Sequence, residues 1–221
     1  MTAVCYRNPL AGPDDLKDLR AEGDVALSTP LGRLRLESRR PAAEGQRANF
    51  VLWFPCLLPA EFAAEWLFWP VAEPGLAMVF FGAQRRGGGD VLGADAAPRT
   101  GEYDQYRYGD MDTYHLSYFR RGSPDERRFH TVNLRRSHGF HLLGQGADPI
   151  PEVASAGPPY RLRLAREDGR VRFSVDGLPV LDTHDAADGV PALTGDGRLG
   201  FRQMAPMIGE YSDLVVTSPA G

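Results

Sequence analysis

Residues 160–181 read YRLRLAREDGRVRFSVDGLPVL, and this stretch decides the fold class. In 160–166 and 170–175 apolar side chains occur at every second position, the period that places alternate residues on opposite faces of a β-strand. The segments are separated by Glu167-Asp168-Gly169 and by Asp176-Gly177, which are typical of tight turns. The stretch therefore predicts an antiparallel meander that continues into 178–181.

Short segments of the same kind occur along most of the chain, and little of it is helical. Further strands are predicted at 25–28, 32–37, 49–54, 61–69, 75–84, 114–120, 128–135, 198–204 and 211–217. About a dozen short strands with Gly and Asp turns are typical of an all-β antiparallel sandwich or jelly roll. Residues 6–23 are predicted to be irregular with at most one helical turn, and Gly and Pro predict a long loop over 143–159.

The 221 residues show no repeat and no linker, so residues 1–221 are predicted to form one domain. The formal net charge of −4 argues against a nucleic-acid partner, because such domains normally carry a basic surface. No apolar run approaches the ~20 residues that cross a bilayer. The N-terminus lacks the basic and apolar regions of a secretory signal, which predicts a cytoplasmic protein.

Residues 103–148 concentrate the side chains that suit a polar ligand. They contain His115, His130, His138 and His141, which are four of the five histidines, together with seven arginines and several tyrosines. Such a concentration of polar and aromatic side chains points to a ligand class more directly than to a reaction. The segment 85–100 before it is predicted to be a flexible excursion that could close over the site as a lid.

The strand 114–120 is predicted to divide its side chains between two faces. Ideal alternation places His115, Ser117 and Phe119 on one face and Leu116, Tyr118 and Arg120 on the other. A turn at 122–125 would then return the chain through 128–135. In that hairpin Tyr118 and Arg120 lie near Asn133 with Arg135 or near Thr131 with Asn133, depending on a register that remains open.

Aromatic rings, arginines and amides on one β-face suit a carbohydrate, above all an acidic one. Sugar C–H faces pack on aromatic rings, and a uronate carboxylate matches the planar guanidinium group. The alternative interpretation is a solvent-exposed strand face whose arginines pair with surface acids. Glu65 and Trp69 share the accessible face of another predicted strand, which could be a sugar platform, or Trp69 could simply cap the sheet edge.

Several short motifs resemble the YesU-like family of uncharacterised bacterial proteins, in the concanavalin A-like lectin/glucanase superfamily. They are YRNPL at 6–10, HLSYFRR at 115–121, NLR at 133–135, GFHL at 139–142, GADP at 146–149 and GFRQMAPM at 200–207. The resemblance implies a jelly roll of two curved antiparallel sheets with a concave ligand face. The family's namesake is encoded among genes for breaking down rhamnogalacturonan, which implies uronate-containing oligosaccharides.

The segments 168–177 and 197–202 also look like the closing strands of concanavalin A-like modules. That likeness implies that Leu199 and Phe201 face the core, whereas Gly200 and Arg202 face the concavity. Gln203 would lie at its edge and contact the substrate there.

Two enzyme chemistries place different demands on these residues. A retaining glucanase of this superfamily carries an E-x-D-x-E strand with carboxylates about 5 Å apart, and that motif is absent. Glu65, Glu126 and Asp148 remain as isolated acids.

A uronate lyase instead needs a cation at the carboxylate and a base for the C5 proton. Arg120, Arg135 and Arg202 are candidate carboxylate ligands, with Asn133 beside them. The candidate catalytic residues are His115, Tyr118 and His141, although His115 and Tyr118 lie on opposite faces unless a bulge intervenes.

The sequence predicts neither a cofactor nor a transition metal, because no zinc-binding spacing of Cys or His occurs. A calcium ion at 144–152 could use Asp148 and carbonyls, although the oxygen ligands are few. The two hypotheses that remain are a carbohydrate-active enzyme, a lyase or a hydrolase, and a noncatalytic lectin-like protein. An exposed edge strand at 49–54 would permit a homodimer.

Overall fold

The computed structural model describes residues 2–121 and 130–219, and within these ranges the chain forms fifteen strands and five short helical segments. The strands are β1 Thr2–Asn8, β2 Arg20–Glu22, β3 Val25–Ser28, β4 Leu34–Ser38, β5 Phe50–Leu58, β6 Phe62–Ala72, β7 Gly75–Arg85, β8 Met111–Arg121, β9 Thr131–Ser137, β10 His141–Ala147, β11 Tyr160–Glu167, β12 Arg170–Val175, β13 Leu178–His184, β14 Gly197–Met204 and β15 Ile208–Pro219. The α-helices are α1 Pro13–Leu16 and α2 Asp104–Arg107, and the 3-10 helices are Pro30–Gly32, Ala42–Ala48 and Val153–Ser155. In this part of the chain no helix has the length and apolar character needed to cross a membrane.

Two antiparallel sheets pack against each other, which confirms the prediction of an all-β jelly-roll sandwich. The front sheet has the strand order β10-β9-β8-β7-β14-β5-β2. The back sheet has the order β13-β12-β11-β6-β15-β4-β3, with β1 paired to β15. The apolar strand β7 lies between β8 and β14, the central place that its sequence predicts.

The core lies between the sheets and is built from alternate residues of each strand. Leu199 and Phe201 of β14 are buried in it, as predicted. Phe201 stacks on Tyr211 with 4.8 Å between ring centroids and contacts Trp66 at 5.4 Å. Burying side chains of this size contributes about 1.5–3 kcal/mol each, so the aromatic core is the main stabilising element.

Three strands, β1, β2 and β10, overlap segments where the sequence predicts irregular structure or a loop. β1 occupies the opening of the chain and pairs with β15. β10 contains Gly144 and Gly146, and the sequence predicts a loop there because glycine is uncommon inside strands. At Gly146 a Cβ atom would lie 2.0 Å from the carbonyl oxygen of Val180, so the close approach of β10 to β13 requires glycine there.

The predicted exposed edge at 49–54 is wrong, because β5 pairs with β14 on one side and with β2 on the other. A three-residue strand is hard to recognise from the sequence, and β2 is of that length. The predicted turn at 122–125, the start of the return strand at 128–129 and the acid Glu126 lie outside the described residues.

Residues 90–106, called here the cover segment, pack on the face of the front sheet that points away from the core. Val91 and Tyr106 are fully buried there against Trp53 and Phe80. The Tyr106 ring stacks on Phe80 with 5.4 Å between centroids. The prediction of a flexible lid is therefore wrong, because apolar residues within the segment form a second small core with the sheet.

A buried ion pair fixes the cover segment to strand β2. Nε of Arg99 donates to both carboxylate oxygens of Glu22 at 3.0 and 3.1 Å, and Nη2 donates to Glu22 at 2.7 Å and to the Val91 carbonyl at 2.6 Å. The Tyr106 hydroxyl donates to the same carboxylate at 2.8 Å. The Arg99 side chain is only 3% exposed.

Replacing Arg99 by Met is expected to lower the free energy of unfolding by about 3 kcal/mol, because the Glu22 carboxylate then stays largely buried without its cation. Chemical denaturation measures this change, and hydrogen exchange should accelerate across 91–106. The control is Arg86→Met, also between β7 and β8, because the Arg86 side chain is exposed. Its free energy of unfolding is expected to change by no more than about 0.5 kcal/mol. Equal effects of the two substitutions would contradict the anchoring role of Arg99.

Candidate functional site

A pocket of about 520 Å³ opens on the front sheet beside the cover segment. Its floor comes from β7, β8 and β9, and its walls come from the cover segment, from the β9–β10 turn and from the loops after β6 and β14. The lining residues are Pro74, Gly75, Leu76, Met78, Tyr103, His115, Ser117, Arg120, Arg121, Asn133, Arg135, Phe140, Met204 and Ala205. The pocket therefore combines apolar walls with a small number of cations and hydrogen-bonding groups, as small-molecule sites commonly do.

The register of β8 and β9 creates the polar floor. His115 lies opposite Arg135, and Ser117 lies opposite Asn133. Directly opposed residues of antiparallel strands point to the same face, so these four side chains form one patch. The sequence predicts that either Asn133 with Arg135 or Thr131 with Asn133 lies near Tyr118 and Arg120. Asn133 and Arg135 do share one face, but the residues opposite them are Ser117 and His115.

A local distortion at Phe119 brings Arg120 to the pocket. Phe119 has a φ of 46°, in the left-handed region, which interrupts the alternation of β8. Its side chain consequently turns into the core and packs on Phe68 at 5.7 Å. The predicted placement of Phe119 with His115 is wrong for this reason, and Arg120 instead joins the lining of the pocket.

His115 is held by hydrogen bonds at both ring nitrogens. Nδ1 lies 3.0 Å from the hydroxyl of Tyr103, and Nε2 lies 3.1 Å from the hydroxyl of Ser137. Burial lowers the pKa of His115 to about 3, and the positive charges of Arg135, Arg202 and Arg107 contribute to the shift. The imidazole is therefore neutral at physiological pH and can serve as a hydrogen-bond acceptor or a base, but not as a resident cation.

Tyr103, on the cover segment, was missed by the sequence reasoning. Burial raises its pKa to about 12, although Arg202, Arg135 and Arg107 act in the opposite direction. Its hydroxyl group is therefore protonated at neutral pH. Nothing in the local pattern around Tyr103 indicates that it meets His115, because their contact depends on how the cover segment packs.

Phe140, in the β9–β10 turn, was also missed, although it lies inside the GFHL motif. Its ring stacks on His115 with 6.1 Å between centroids and meets the Tyr103 ring edge-on at 5.9 Å. The guanidinium carbon of Arg135 lies 3.9 Å from the Phe140 ring centroid, and that of Arg107 lies 5.2 Å away. Phe140 thus supports the His115–Tyr103 pair and orients two cations.

Arg120 and Arg135 form no ion pair with any carboxylate among the described residues, whereas their neighbour Arg121 does. Arg121 donates to Asp148 at 3.0 Å, and both side chains are buried. Asp148 also accepts a hydrogen bond from the backbone of Ile150 at 3.1 Å. Asp148, the acid considered for calcium, is therefore engaged by a guanidinium group, while Arg120 and Arg135 are available to an anionic ligand.

Tyr118 and Gln203 lie away from the pocket. Tyr118 is fully buried between the sheets, where its ring meets Phe68 edge-on at 5.4 Å, and burial raises its pKa. Because Tyr118 faces the core, His115 and Tyr118 lie on opposite faces of β8, as strand alternation predicts. The side-chain amide of Gln203 donates to the Leu36 carbonyl and accepts from the Gly209 backbone N–H, both in the back sheet and both at 3.0 Å. The predicted place of Gln203 at the edge of the concavity is therefore wrong.

Arg202 lies on the predicted face of β14 but beneath the cover segment. It is fully buried, donates to the Gly101 carbonyl at 2.7 Å, and has its guanidinium carbon 5.0 Å from the Tyr103 ring centroid and 5.3 Å from that of Tyr106. It supports Tyr103 without lining the pocket.

His141, Glu65 and Trp69 are also outside the pocket. His141 is exposed and lies opposite Arg136 in the β9–β10 pairing. Arg136 in turn lies opposite the core residue Tyr114 in the β8–β9 pairing. His141 is therefore on the opposite face of the sheet from His115. Glu65 and Trp69 belong to the back sheet. There, Nε of Arg163 lies 3.4 Å from Glu65, and the guanidinium carbon of Arg33 lies 4.5 Å from the centre of the Trp69 ring.

Across the described residues, no three side chains of His, Cys, Asp or Glu come together as a metal site. The polar side chains that line the pocket supply guanidinium, amide, phenol, imidazole and hydroxyl groups.

A family described as a domain of unknown function, DUF1961, matches residues 3–216 of this chain. The chain belongs to this family. The DUF1961 chain is 42% identical over 214 residues to the uncharacterized protein YesU of Bacillus subtilis (strain 168), covering 97% of this chain and 95% of YesU. The resemblance to the YesU-like family is thereby confirmed.

Solved structures agree with the fold of the DUF1961 chain. The crystal structure of a protein of unknown function with a galectin-like fold from Bacillus subtilis superposes with a TM-score of 0.91 at 41% identity, covering 99% of this chain and 98% of that one. The lectin UEA-II complexed with galactose superposes with a TM-score of 0.60 at 9% identity, over 99% of this chain and 98% of the lectin. At that identity the likeness shows a shared fold alone.

The low pKa of His115 predicts a pH-dependent contribution to stability. In the unfolded chain His115 binds a proton below its ordinary pKa of ~6.5, whereas the native imidazole stays neutral down to about pH 3. Protonation therefore favours the unfolded chain between these two pH values. The contribution of His115 to stability is complete above pH ~6.5 and is lost as the pH falls towards 3. The expected slope is about 1.4 kcal/mol per pH unit. Urea denaturation between pH 6.5 and 5 should therefore show a shallower decline for His115→Asn than for the unmodified protein, and parallel curves would contradict this assignment.

Proposed function

We propose that the pocket binds uronate-containing oligosaccharides and cleaves them by β-elimination. The observation that carries this proposal is the placement of Arg120 and Arg135, without carboxylate partners among the described residues, beside the hydrogen-bonded pair of Tyr103 and His115. The family resemblance supports a sugar ligand derived from rhamnogalacturonan, and the fold is one that a galactose-complexed lectin shares.

Binding of the carboxylate is assigned to Arg135, Arg120 and Asn133. Burial already lowers the pKa of Arg135, and the charge of Arg120 contributes, which means that two neighbouring cations share a partly desolvated site. An anion placed between them relieves this repulsion and accepts charge-assisted hydrogen bonds, each worth about 1.5–3 kcal/mol. The apolar wall of Leu76, Met78 and Phe140 offers a surface for the C–H face of the sugar.

Elimination needs one group to accept the C5 proton and another to protonate the leaving oxygen. His115 accepts the C5 proton, the electron pair of that bond forms the C4=C5 double bond, and the C4–O bond breaks. The hydroxyl of Tyr103 protonates the departing oxygen. The 3.0 Å hydrogen bond between the two side chains then carries the proton from the imidazolium back to the phenolate, which restores both groups.

The arginines support this step in two ways. Neutralising the uronate carboxylate acidifies the C5 proton and stabilises the charge that develops on the carboxylate in the transition state. The bound carboxylate also offsets part of the positive field that helps to lower the pKa of His115, so the imidazole becomes a stronger base when substrate is present.

Hydrolysis is less compatible with the pocket. Glycoside hydrolysis generally uses two carboxyl groups that flank the scissile bond. The lining contributed by the described residues contains no Asp or Glu, and Glu65 is on the back sheet.

A noncatalytic lectin is the second candidate, and one observation favours it. With a pKa of about 3, His115 is a weak base in the free pocket and would need the bound carboxylate to become effective. If that increase is too small, the same arginines and aromatic rings would bind the sugar without cleaving it.

Replacing Arg135 by Gln is expected to weaken the binding of a galacturonate trisaccharide by about 10- to 100-fold, because a charge-assisted contact to the carboxylate is lost. Calorimetry measures the affinity. Arg161→Gln, an exposed arginine on the back sheet, is the matched control and should bind as the unmodified protein does. Equal affinities for the two variants would exclude Arg135 as the carboxylate ligand.

Replacing Tyr103 by Phe should separate catalysis from binding. The ring is retained over Arg202, but the hydroxyl that protonates the leaving oxygen is removed, so the elimination rate should fall by about 10²- to 10⁴-fold with little change in affinity. Elimination is followed by the ultraviolet absorbance of the unsaturated uronate. If the unmodified protein binds the oligosaccharides but generates no absorbance, the lyase proposal fails and the lectin remains.

A further inference from the structure

The cover segment closes one end of the front-sheet concavity. Over β5 and over the parts of β14 and β7 around Arg202 and Phe80 the face is covered by this segment, so Trp53, Phe80 and Arg202 are fully buried beneath it. Over β8, β9 and the part of β7 around Leu76 and Met78 the same face is open and forms the pocket floor. A ligand lying across the strands therefore has room on one side and meets protein on the other.

The closed end is built from backbone as well as side chains. The Gly101 carbonyl accepts a hydrogen bond from Arg202, which rises from β14 beneath it. A Cβ atom at Gly101 would lie 2.0 Å from the Asn49 carbonyl oxygen, so the segment rests directly on the chain at the start of β5. No space for a sugar ring remains between them, and a chain cannot continue in this direction without displacing the segment.

Tyr103 forms the wall where the pocket meets the cover segment. Its ring lies over Arg202 at 5.0 Å, and its hydroxyl bonds to His115 at 3.0 Å. The proposed proton-transfer pair is therefore located at the closed end. Towards β10 the floor continues through Asn133 to the exposed Gln145, whose amide donates to Asn133 at 2.7 Å.

We infer that the pocket takes the terminal residues of an acidic oligosaccharide rather than an internal segment of a polymer. This inference rests on the proposed function and deepens it by naming the substrate class, chain ends of uronate-containing oligosaccharides. The terminal uronate is the reducing-end residue, whose C4 oxygen carries the rest of the chain; it lies against Tyr103 with its carboxylate at Arg135, and the remainder of the chain leaves over β9 and β10. The 520 Å³ of the pocket is within the range of about 300–1,000 Å³ of small-molecule sites.

The number of protein molecules bound per saccharide chain tests this inference. Galacturonate oligomers of increasing defined length, from the disaccharide upwards, are titrated with the full protein in a calorimeter under conditions in which elimination is blocked by Tyr103→Phe. The expected result is one protein per chain at every length, with an affinity per chain that does not grow as the chain is extended.

A stoichiometry that rises in proportion to chain length would overturn the inference, because a groove open at both ends offers one internal site after another. That outcome would leave acidic-sugar binding intact. Failure to bind oligomers of any length, measured also with the unmodified protein, would overturn the proposed function and the inference together.

Discussion

The buried ion pair between Arg99 and Glu22 is the interaction on which the site depends. It fixes the cover segment to the short strand β2, and the cover segment in turn supplies Tyr103 to His115. A buried charge pair is stabilising only when its remaining hydrogen-bonding groups are satisfied, and here the Val91 carbonyl and the Tyr106 hydroxyl take part. A surface that could have been a long groove is thereby reduced to a pocket.

Electrostatics within this pocket differ from those of the whole protein. The chain carries a formal charge of −4, yet the cations Arg120 and Arg135 line a pocket without acids among the described residues. Most other arginines are neutralised, such as Arg121 by Asp148. The positive field is therefore local, which suits recognition of one carboxylate better than attraction of an extended polyanion.

The fold and part of the site follow from the sequence because they depend on local periodicity. Alternation in β8 correctly separates His115 from Tyr118, and the likeness of β14 to a closing strand of concanavalin A-like modules correctly implies that Phe201 is buried. The same rule fails at Phe119, since a single residue in the left-handed region reverses the faces that follow it. The family resemblance, by contrast, identified the jelly roll without depending on any one strand.

What the sequence could not predict is contact between distant segments. Tyr103 and Phe140 reach His115 only through the packing of the cover segment and the β9–β10 turn, and the sequence around neither residue indicates that contact. The glycines of 85–100 suggested a free loop, although Val91 and Leu92 in the same stretch are an apolar pair that indicates packing. Trp69 and Glu65 are predicted to be an accessible aromatic ring and an accessible acid, but accessibility alone does not specify which sheet faces the ligand.

The most direct measurement is a crystal structure of the Tyr103→Phe variant with a galacturonate disaccharide. Our account predicts a sugar ring against Phe140 and Met78, with its carboxylate within hydrogen-bonding distance of Arg135, and with the cover segment in place behind it. A disaccharide bound on the back sheet, or one that passes beneath a displaced cover segment, would contradict it.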